Sequence, residues 1–123
     1  MPGHPDPKTI LCIDDDDGIL KYHRELLERR GFAVVTTASA RKGVQIATAS
    51  TVAAVIVDYN MPEMNGHEVA TEIRRIRPQV PIVMVSGEEQ LPVDAVKLVD
   101  AVVPKEDVHV RLLPVLTRIC AEG

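Results

Sequence analysis

The sequence predicts a doubly wound α/β fold, in which a five-stranded parallel sheet is covered by helices on both faces. Short, continuously apolar segments recur along the 123 residues, as strands buried on both faces require. Segments with apolar residues at helical spacing alternate with them, and this alternation is typical of a parallel sheet. The length suffices for one domain with its own core.

Five strands and five helices are expected in alternation. The strands are predicted over residues 9–13, 32–37, 52–57, 80–85 and 101–103. The helices are predicted over residues 17–30, 39–49, 66–77 and 88–99, and over the remainder of the chain after the fifth strand. Gly31 is expected to end the first helix in the left-handed conformation, and Ser39 to open the second. Pro114 lies inside the last helix, where we expect a kink.

The N-terminal segment and the cysteines indicate the cellular compartment. Residues 1–8 are polar and proline-rich, so we expect a disordered tail before one domain over residues 9–121. The tail does not resemble a signal peptide, and no apolar run is long enough to cross a bilayer. Cys12 and Cys120 form neither a disulfide nor a metal motif. We therefore expect a cytoplasmic protein with reduced thiols.

Charge and aromatic content exclude some partners. The net charge is −4, from 14 basic and 18 acidic residues. Because a nucleic-acid surface needs clustered Lys and Arg, we expect no direct nucleic-acid binding by this domain. Since no apolar run is long enough to cross a bilayer, we expect no membrane binding either. Tyr22, Phe32 and Tyr59 are the only Phe, Tyr or Trp residues, so the chain beyond Tyr59 has none of these rings.

Polar residues follow four of the predicted strands. In such sheets, ligands bind beyond the carboxyl ends of the strands, and these ends carry Asp14, Asp15, Asp58, Ser86 and Lys105. Taken singly, each has a plainer interpretation as a cap, a turn residue or a solvated lysine. Three carboxylates at one edge, however, are stable only with a bound cation or with raised pKa values. Their oxygen ligands suit Mg²⁺, so the sequence predicts a magnesium site.

The same edge could support phosphoryl transfer. Beside Mg²⁺, Asp58 can act as a nucleophile towards a phosphoryl donor and form an acyl phosphate. Lys105 would supply positive charge for the phosphoryl oxygens, and Ser86 a hydroxyl donor. Asp16 and Asp17 are expected to cap the first helix instead, because helix N-termini favour negative charge.

Four segments carry a resemblance to a known family. They are "ILCIDD", "VIVDYNMPEMNG", "PIVMVSG" and "VVPK", in the family's order and spacing. The chain resembles receiver domains of the response-regulator family over about residues 9–121. The resemblance implies a flavodoxin-like (βα)5 fold and phosphorylation of Asp58 by a histidine kinase or phosphotransfer protein of a two-component system. It implies no enzyme activity beyond the domain's own phosphorylation and dephosphorylation.

The resemblance also implies roles for individual residues. Ser86 matches the switch hydroxyl, and Lys105 matches the lysine that pairs with the phosphate. In the family, phosphate draws the hydroxyl inward and changes the surface formed by the fourth helix, fifth strand and fifth helix, where a downstream protein or output domain binds. The implied ligands of Mg²⁺ (or Mn²⁺) are Asp14, Asp15, Asp58 and the backbone carbonyl of Asn60.

The sequence departs from the family's pattern at two positions. Lys105 is followed by Glu106 rather than proline, and a cis bond there would cost roughly 3 kcal/mol, so we expect a trans bond. Val102 stands where the family commonly has Tyr or Phe. We therefore expect a readout through backbone and loop movement. Asn60 and Glu88 can flank the path of a water that attacks the acyl phosphate.

Other functions fit the sequence less well. An EF-hand with Gly18 at the invariant glycine would put Arg24 at the last ligand position, where Glu is required. A haloacid-dehalogenase-type phosphatase needs a second Asp two residues after the nucleophile, and Asn60 occupies that position. The alternative that stays open is a non-phosphorylated pseudo-receiver that acts as a protein-interaction module.

Two predictions concern burial. His23 lies on the apolar stripe of the first helix, so we expect it to be packed. The fourth predicted helix carries an apolar face that could be core or a docking patch for a partner helix, and core is the preferred interpretation. Its residues are Val93, Val96, Leu98 and Val99.

Overall fold

The computed structural model describes residues 8–122. Residues 1–7, nearly all of the predicted tail, lie outside the described residues. Lys8, the last residue of that predicted tail, is held at both ends: its carbonyl accepts from the Ala33 amide at 2.9 Å, and its ammonium donates to the Cys120 carbonyl. In the part of the chain that is described, no helix is long and apolar enough to cross a membrane.

The predicted alternation of strands and helices is confirmed. The strands are β1 (Thr9–Ile13), β2 (Ala33–Thr37), β3 (Ala54–Asp58), β4 (Ile82–Ser86) and β5 (Ala101–Pro104). The helices are α1 (Asp17–Glu28), α2 (Ala40–Ala49), α3 (Gly66–Ile76), α4 (Val93–Leu98) and α5 (Val108–Glu122), and a 3₁₀ turn spans Lys105–Asp107. All strand pairs are parallel, in the order β2-β1-β3-β4-β5.

Each face of the sheet has its own buried layer. Successive side chains of a strand point to opposite faces, so Ile10 and Cys12 of β1 belong to one layer and Leu11 and Ile13 to the other. The first layer includes residues of α1 and α5, and the second includes residues of α2 and α3. Burial on both sides explains why the strands are apolar without alternation.

Local signals in the sequence set several helix ends. Asp16 caps α1, since its Oδ1 accepts from the amides of Gly18 (2.8 Å) and Ile19 (3.2 Å). Gly31 follows α1 with a φ of 88°, the left-handed conformation that glycine adopts without strain. Ser39 caps α2 by accepting from the Lys42 amide at 3.2 Å. These three predictions are confirmed.

Helix α4 differs from its prediction. It spans only Val93–Leu98 rather than residues 88–99, because Pro92 disfavours a helical conformation in the residue before it and so restricts the start. Assigning its apolar residues to the core was partly wrong: Val93 is 66% exposed and Val96 is 45% exposed. Leu98 and Val99 are partly buried against the core.

Other local predictions hold. His23 is buried on α1, and both cysteines are buried free thiols. Pro114 lies inside α5, where it was expected, and a kink at this position stays a prediction. The described residues contain no cis peptide bond, so the bond between Lys105 and Glu106 is trans, as expected.

Candidate functional site

Three carboxylates meet at the carboxyl edge of the sheet. Asp58 is the last residue of β3, and Asp14 follows β1 directly, where Ile13 is paired with Val57. Asp15 lies beside them, and one carboxylate oxygen from each of the three aspartates falls within 4.8 Å of the others. Asp14 and Asp58 are buried, whereas Asp15 is exposed. The fold therefore brings the three predicted acidic residues together.

The buried carboxylates lack full compensation within the described residues. Asp14 Oδ1 accepts from the Asp16 amide at 2.9 Å, but Asp14 Oδ2 and Asp58 Oδ1 are buried without a hydrogen-bond partner. Buried polar atoms are normally satisfied, and buried charges are normally paired or bind metal ions. These orphaned oxygens and the purely oxygen donor set fit a hard divalent cation such as Mg²⁺.

Burial and mutual repulsion also change how these groups titrate. Burial raises the pKa of Asp14 to about 6, against the hydrogen bond from the Asp16 amide and with a further contribution from the charge of Asp58. Burial likewise raises the pKa of Asp58, opposed by the positive charge of Lys105. The pocket therefore disfavours its own negative charge, and a bound cation would relieve that cost.

Lys105 reaches the pocket from the turn after β5. Its ammonium nitrogen lies 3.3 Å from Asp58 Oδ1, an ion-pair contact between a buried carboxylate and a partly exposed side chain. The contact is not aligned as a hydrogen bond, since Asp58 Oδ1 has no hydrogen-bond partner. An ammonium in this position can contact a group attached to Asp58.

Ser86 ends β4 beside the pocket and is buried. Its Oγ accepts from the Glu88 amide at 2.9 Å, which leaves the hydroxyl proton free to be donated. Glu88 also accepts a hydrogen bond from Asn60 Nδ2 at 3.2 Å, so side chains of the β3–α3 and β4–α4 loops meet. The sequence predicted that Asn60 and Glu88 flank the path of an attacking water. It did not predict the contact between them, because they lie 28 residues apart.

The loop after Asp58 passes close to its own beginning at Gly66, where there is no room for a side chain. A Cβ atom at this position would lie 2.9 Å from both the Asp58 carbonyl oxygen and the Tyr59 Cα. The Gly66 amide donates to the Tyr59 carbonyl at 2.8 Å, which closes the turn. Asn65 and Glu68 then form a capping box at the start of α3. The two ends of this loop, at Tyr59 and Gly66, are therefore held close together.

Glu63 is a residue that sequence reasoning missed. Its Oε1 accepts from the Ala40 amide at 2.9 Å and from Ser39 Oγ at 3.1 Å, at the start of α2. Its Oε2 lies 3.6 Å from Arg41 Nε. Because Ser39 lies 24 residues earlier, neither helical nor strand periodicity could have indicated these contacts.

Val102 lies in β5 opposite Met84 and packs partly buried against the core. No Phe, Tyr or Trp occurs beyond Tyr59, so this half of the chain supplies no such ring.

The chain is similar to known proteins at the level of sequence. The response regulator receiver domain model matches residues 10–104. The transcriptional regulatory protein GlrR of Escherichia coli is 34% identical over 90 residues, which are 73% of this chain and 20% of GlrR. The photosynthetic apparatus regulatory protein RegA of Cereibacter sphaeroides is 35% identical over 80 residues, 65% of this chain and 44% of RegA. The chain thus spans less than half the length of these relatives.

Solved structures of response regulators resemble this chain as well. The response regulator protein TrrA of Thermotoga maritima, in complex with Mg²⁺-BeF, superposes with a TM-score of 0.86 at 25% identity, over 91% of this chain and 98% of that one. A response regulator receiver domain protein of Clostridium thermocellum gives a TM-score of 0.86 at 28% identity, over 94% and 95% of the chains. The protein therefore belongs to the family of response-regulator receiver domains, the phosphoacceptor modules of two-component signalling.

Proposed function

We propose that this receiver domain accepts a phosphoryl group on Asp58 from a histidine kinase or a phosphotransfer protein. The position of Asp58 carries the proposal. Its carboxylate is buried at the end of β3, within 4.8 Å of oxygens of Asp14 and Asp15. An orphaned oxygen of the same carboxylate lies 3.3 Å from the Lys105 ammonium. The domain over residues 9–121 would work in the cytoplasm, without contacting nucleic acid or membrane itself.

The acidic pocket would hold the divalent ion. Asp14, Asp15 and Asp58 would supply carboxylate oxygens to Mg²⁺ or Mn²⁺, and the backbone carbonyl of Asn60 would be a further ligand. When bound, the ion supplies positive charge for the phosphoryl oxygens and for the crowded carboxylates. The buried Asp14 Oδ2, which has no hydrogen-bond partner, and the approach of one oxygen from each aspartate to within 4.8 Å support this assignment.

The transfer step needs few groups. A carboxylate oxygen of Asp58 forms a bond to the phosphorus of the donor phosphohistidine, while the bond between phosphorus and the imidazole nitrogen breaks. The leaving nitrogen keeps the electron pair, and the product is an acyl phosphate on Asp58. Lys105 stabilises negative charge on the phosphoryl oxygens as they arrive.

Ser86 would then transmit the effect of phosphorylation to the β4–α4 loop. Its hydroxyl proton is free to be donated, and a phosphoryl oxygen on Asp58 would be its acceptor. Because the Glu88 amide is bonded to the same hydroxyl oxygen, a shift of Ser86 would pull on the β4–α4 loop. With Val102 in β5 and no Phe, Tyr or Trp in the chain beyond Tyr59, the change would reach partners of α4, β5 and α5 through the backbone.

Beryllofluoride tests the proposal, because with Mg²⁺ it forms a complex with a carboxylate that mimics an acyl phosphate. We expect saturable amide shifts in ¹H–¹⁵N NMR spectra, centred on Asp58, Gly87 and Lys105. We expect no such shifts for the Asp58→Asn variant or in EDTA. A wild-type spectrum that stayed unchanged would contradict the proposal and favour a pseudo-receiver that acts by binding alone.

A further inference from the structure

Glu63 links the loop that follows Asp58 to a different part of the sheet edge. The loop spans residues 59–65, between β3 and α3. The side chain of Glu63 crosses to the first turn of α2, where one oxygen accepts two hydrogen bonds and the other faces Arg41. Oε1 is therefore held by two hydrogen bonds and Oε2 by a longer ion-pair contact, although the side chain is 40% exposed.

The start of α2 is in turn connected to Asp14. The Ser39 amide donates to Thr37 Oγ1 at 3.2 Å, at the end of β2. The Thr37 carbonyl accepts from the Asp14 amide at 3.2 Å. A continuous path of hydrogen bonds and two intervening residues thus runs from Glu63, through the β2–α2 loop, to the backbone of a pocket aspartate.

The middle of the β3–α3 loop has few other supports. No backbone–backbone hydrogen bond involves residues 60–64, all of which lie in the described part of the chain. Met61 and Met64 pack partly buried against the core, and two hydrogen-bonded side-chain links join this segment to other elements: Asn60 contacts Glu88, and Glu63 contacts α2. Of the two, only that of Glu63 leads to the side of the pocket that carries Asp14.

We infer that Glu63 is a positioning residue for the divalent-ion site: it fixes the loop that carries the Asn60 carbonyl relative to the backbone of Asp14. The inference rests on the proposed function, because it needs the ion to sit between these two sides of the pocket. Residues that hold metal ligands in place raise affinity without touching the metal, because the ligands are then ordered before the ion arrives.

Two substitutions at this position separate hydrogen bonding from charge. Glu63→Ala removes both the hydrogen bonds and the negative charge. Glu63→Gln removes the same charge but keeps an amide oxygen that can accept from the Ala40 amide and Ser39 Oγ. Glu72→Ala is the matched control, since Glu72 is an exposed acidic residue of α3 whose contact is an ion pair with Arg75 at 3.4 Å.

The measurement is the dissociation constant for the ion, obtained by calorimetry with Mg²⁺ and by electron paramagnetic resonance with Mn²⁺. We expect Glu63→Ala to bind about tenfold more weakly than wild type, the lower end of the loss found when a direct partner of a metal ligand is removed, because Glu63 acts through intervening residues. Glu63→Gln and Glu72→Ala should bind within about twofold of wild type. The melting temperature of each variant in EDTA reports separately on any loss of stability at α2.

Three outcomes would overturn the role inferred for Glu63 or the proposed function itself. Unchanged affinity in Glu63→Ala, with a lower melting temperature, would overturn the inference and leave Glu63 as a cap of α2. Equal weakening in Glu63→Gln and Glu63→Ala would also overturn it, because charge alone would then explain the loss. Wild-type protein that bound neither ion would overturn the proposed function itself, a failure visible before any Glu63 variant is compared.

Discussion

The β3–α3 and β4–α4 connections leave neighbouring strands at the same edge of the sheet, and they are built in opposite ways. The first is fixed by Gly66, by the capping box of α3 and by Glu63, and it leads into an eleven-residue helix. The second leads through Pro92, without a side-chain cap, into α4, which has six residues. Val93 and Val96 of α4 are exposed.

This difference matches the two tasks of a receiver domain. On the proposed function, the connection after Asp58 would have to hold the ligands of the ion at constant positions, whereas the connection after Ser86 would have to move. Segments that move are drawn from the less stable parts of a structure, with few buried contacts and few capping bonds. We therefore expect substitutions in the first connection to alter stability and ion binding, and those in the second to alter mobility.

The largest expected effect compares the glycines of the two connections. Gly66→Ala would force a Cβ to 2.9 Å from backbone atoms, so we expect a loss of about 3 kcal/mol in the free energy of unfolding. Gly87→Ala would place a Cβ 3.7 Å from Lys105 Cδ, an ordinary contact, and should change it by less than about 0.5 kcal/mol. Urea unfolding measures both. Equal losses would contradict the comparison.

A second prediction concerns the free-energy cost of burying the Asp14 carboxylate in the acidic pocket. The pKa of Asp14 in the folded protein is raised to about 6, so the folded state binds a proton more tightly than the unfolded state does. In metal-free protein, Asp14 should therefore lower stability progressively as pH rises from about 4 to about 6, and by a constant amount above that. Asp14→Asn should then be more stable than wild type by roughly 2 kcal/mol at pH 7.5 in EDTA.

The difference between the two unfolding curves is the quantity to measure across pH. His23 has an opposing effect, because burial lowers its pKa to about 4 and favours folding as pH rises, but it is common to both proteins. A difference that stayed constant from pH 4 to 7.5 would show that Asp14 is not titrating as described. Adding Mg²⁺ should reverse the order of stability.

The smallest effect tests where α4 is anchored. At its far end, Arg74 donates to the Leu98 carbonyl at 2.8 Å and to Asp100 Oδ2 at 2.7 Å. Arg74→Ala should cost about 1 kcal/mol and speed hydrogen exchange in α4. Arg75→Ala removes an exposed ion pair with Glu72 and should cost less than about 0.5 kcal/mol. Unchanged exchange in Arg74→Ala would place the anchor elsewhere.

The sequence could predict those features that depend on neighbouring residues or on the rules of parallel sheets. Asp16 and Ser39 cap the helices they precede. The pocket residues lie 44 and 47 positions apart, yet the rule that strand ends share an edge places Asp14, Asp58 and Lys105 together.

Features that depend on contacts between distant loops could not be predicted in this way. The contact of Glu63 with α2 and that of Asn60 with Glu88 follow from loop conformations that no periodicity encodes. The apolar spacing of Val93 and Val96 suggested a core face, but Pro92 restricts α4 to a short helix that leaves both residues exposed.

The most direct test of the central claim is the intact mass of the protein after incubation with acetyl phosphate and Mg²⁺. The account predicts one phosphoryl adduct on wild-type protein, and none on Asp58→Asn or in the presence of EDTA. An adduct that persisted in Asp58→Asn would contradict the assignment of Asp58. No adduct on wild-type protein, even in samples quenched with acid at early times, would contradict phosphorylation of this domain.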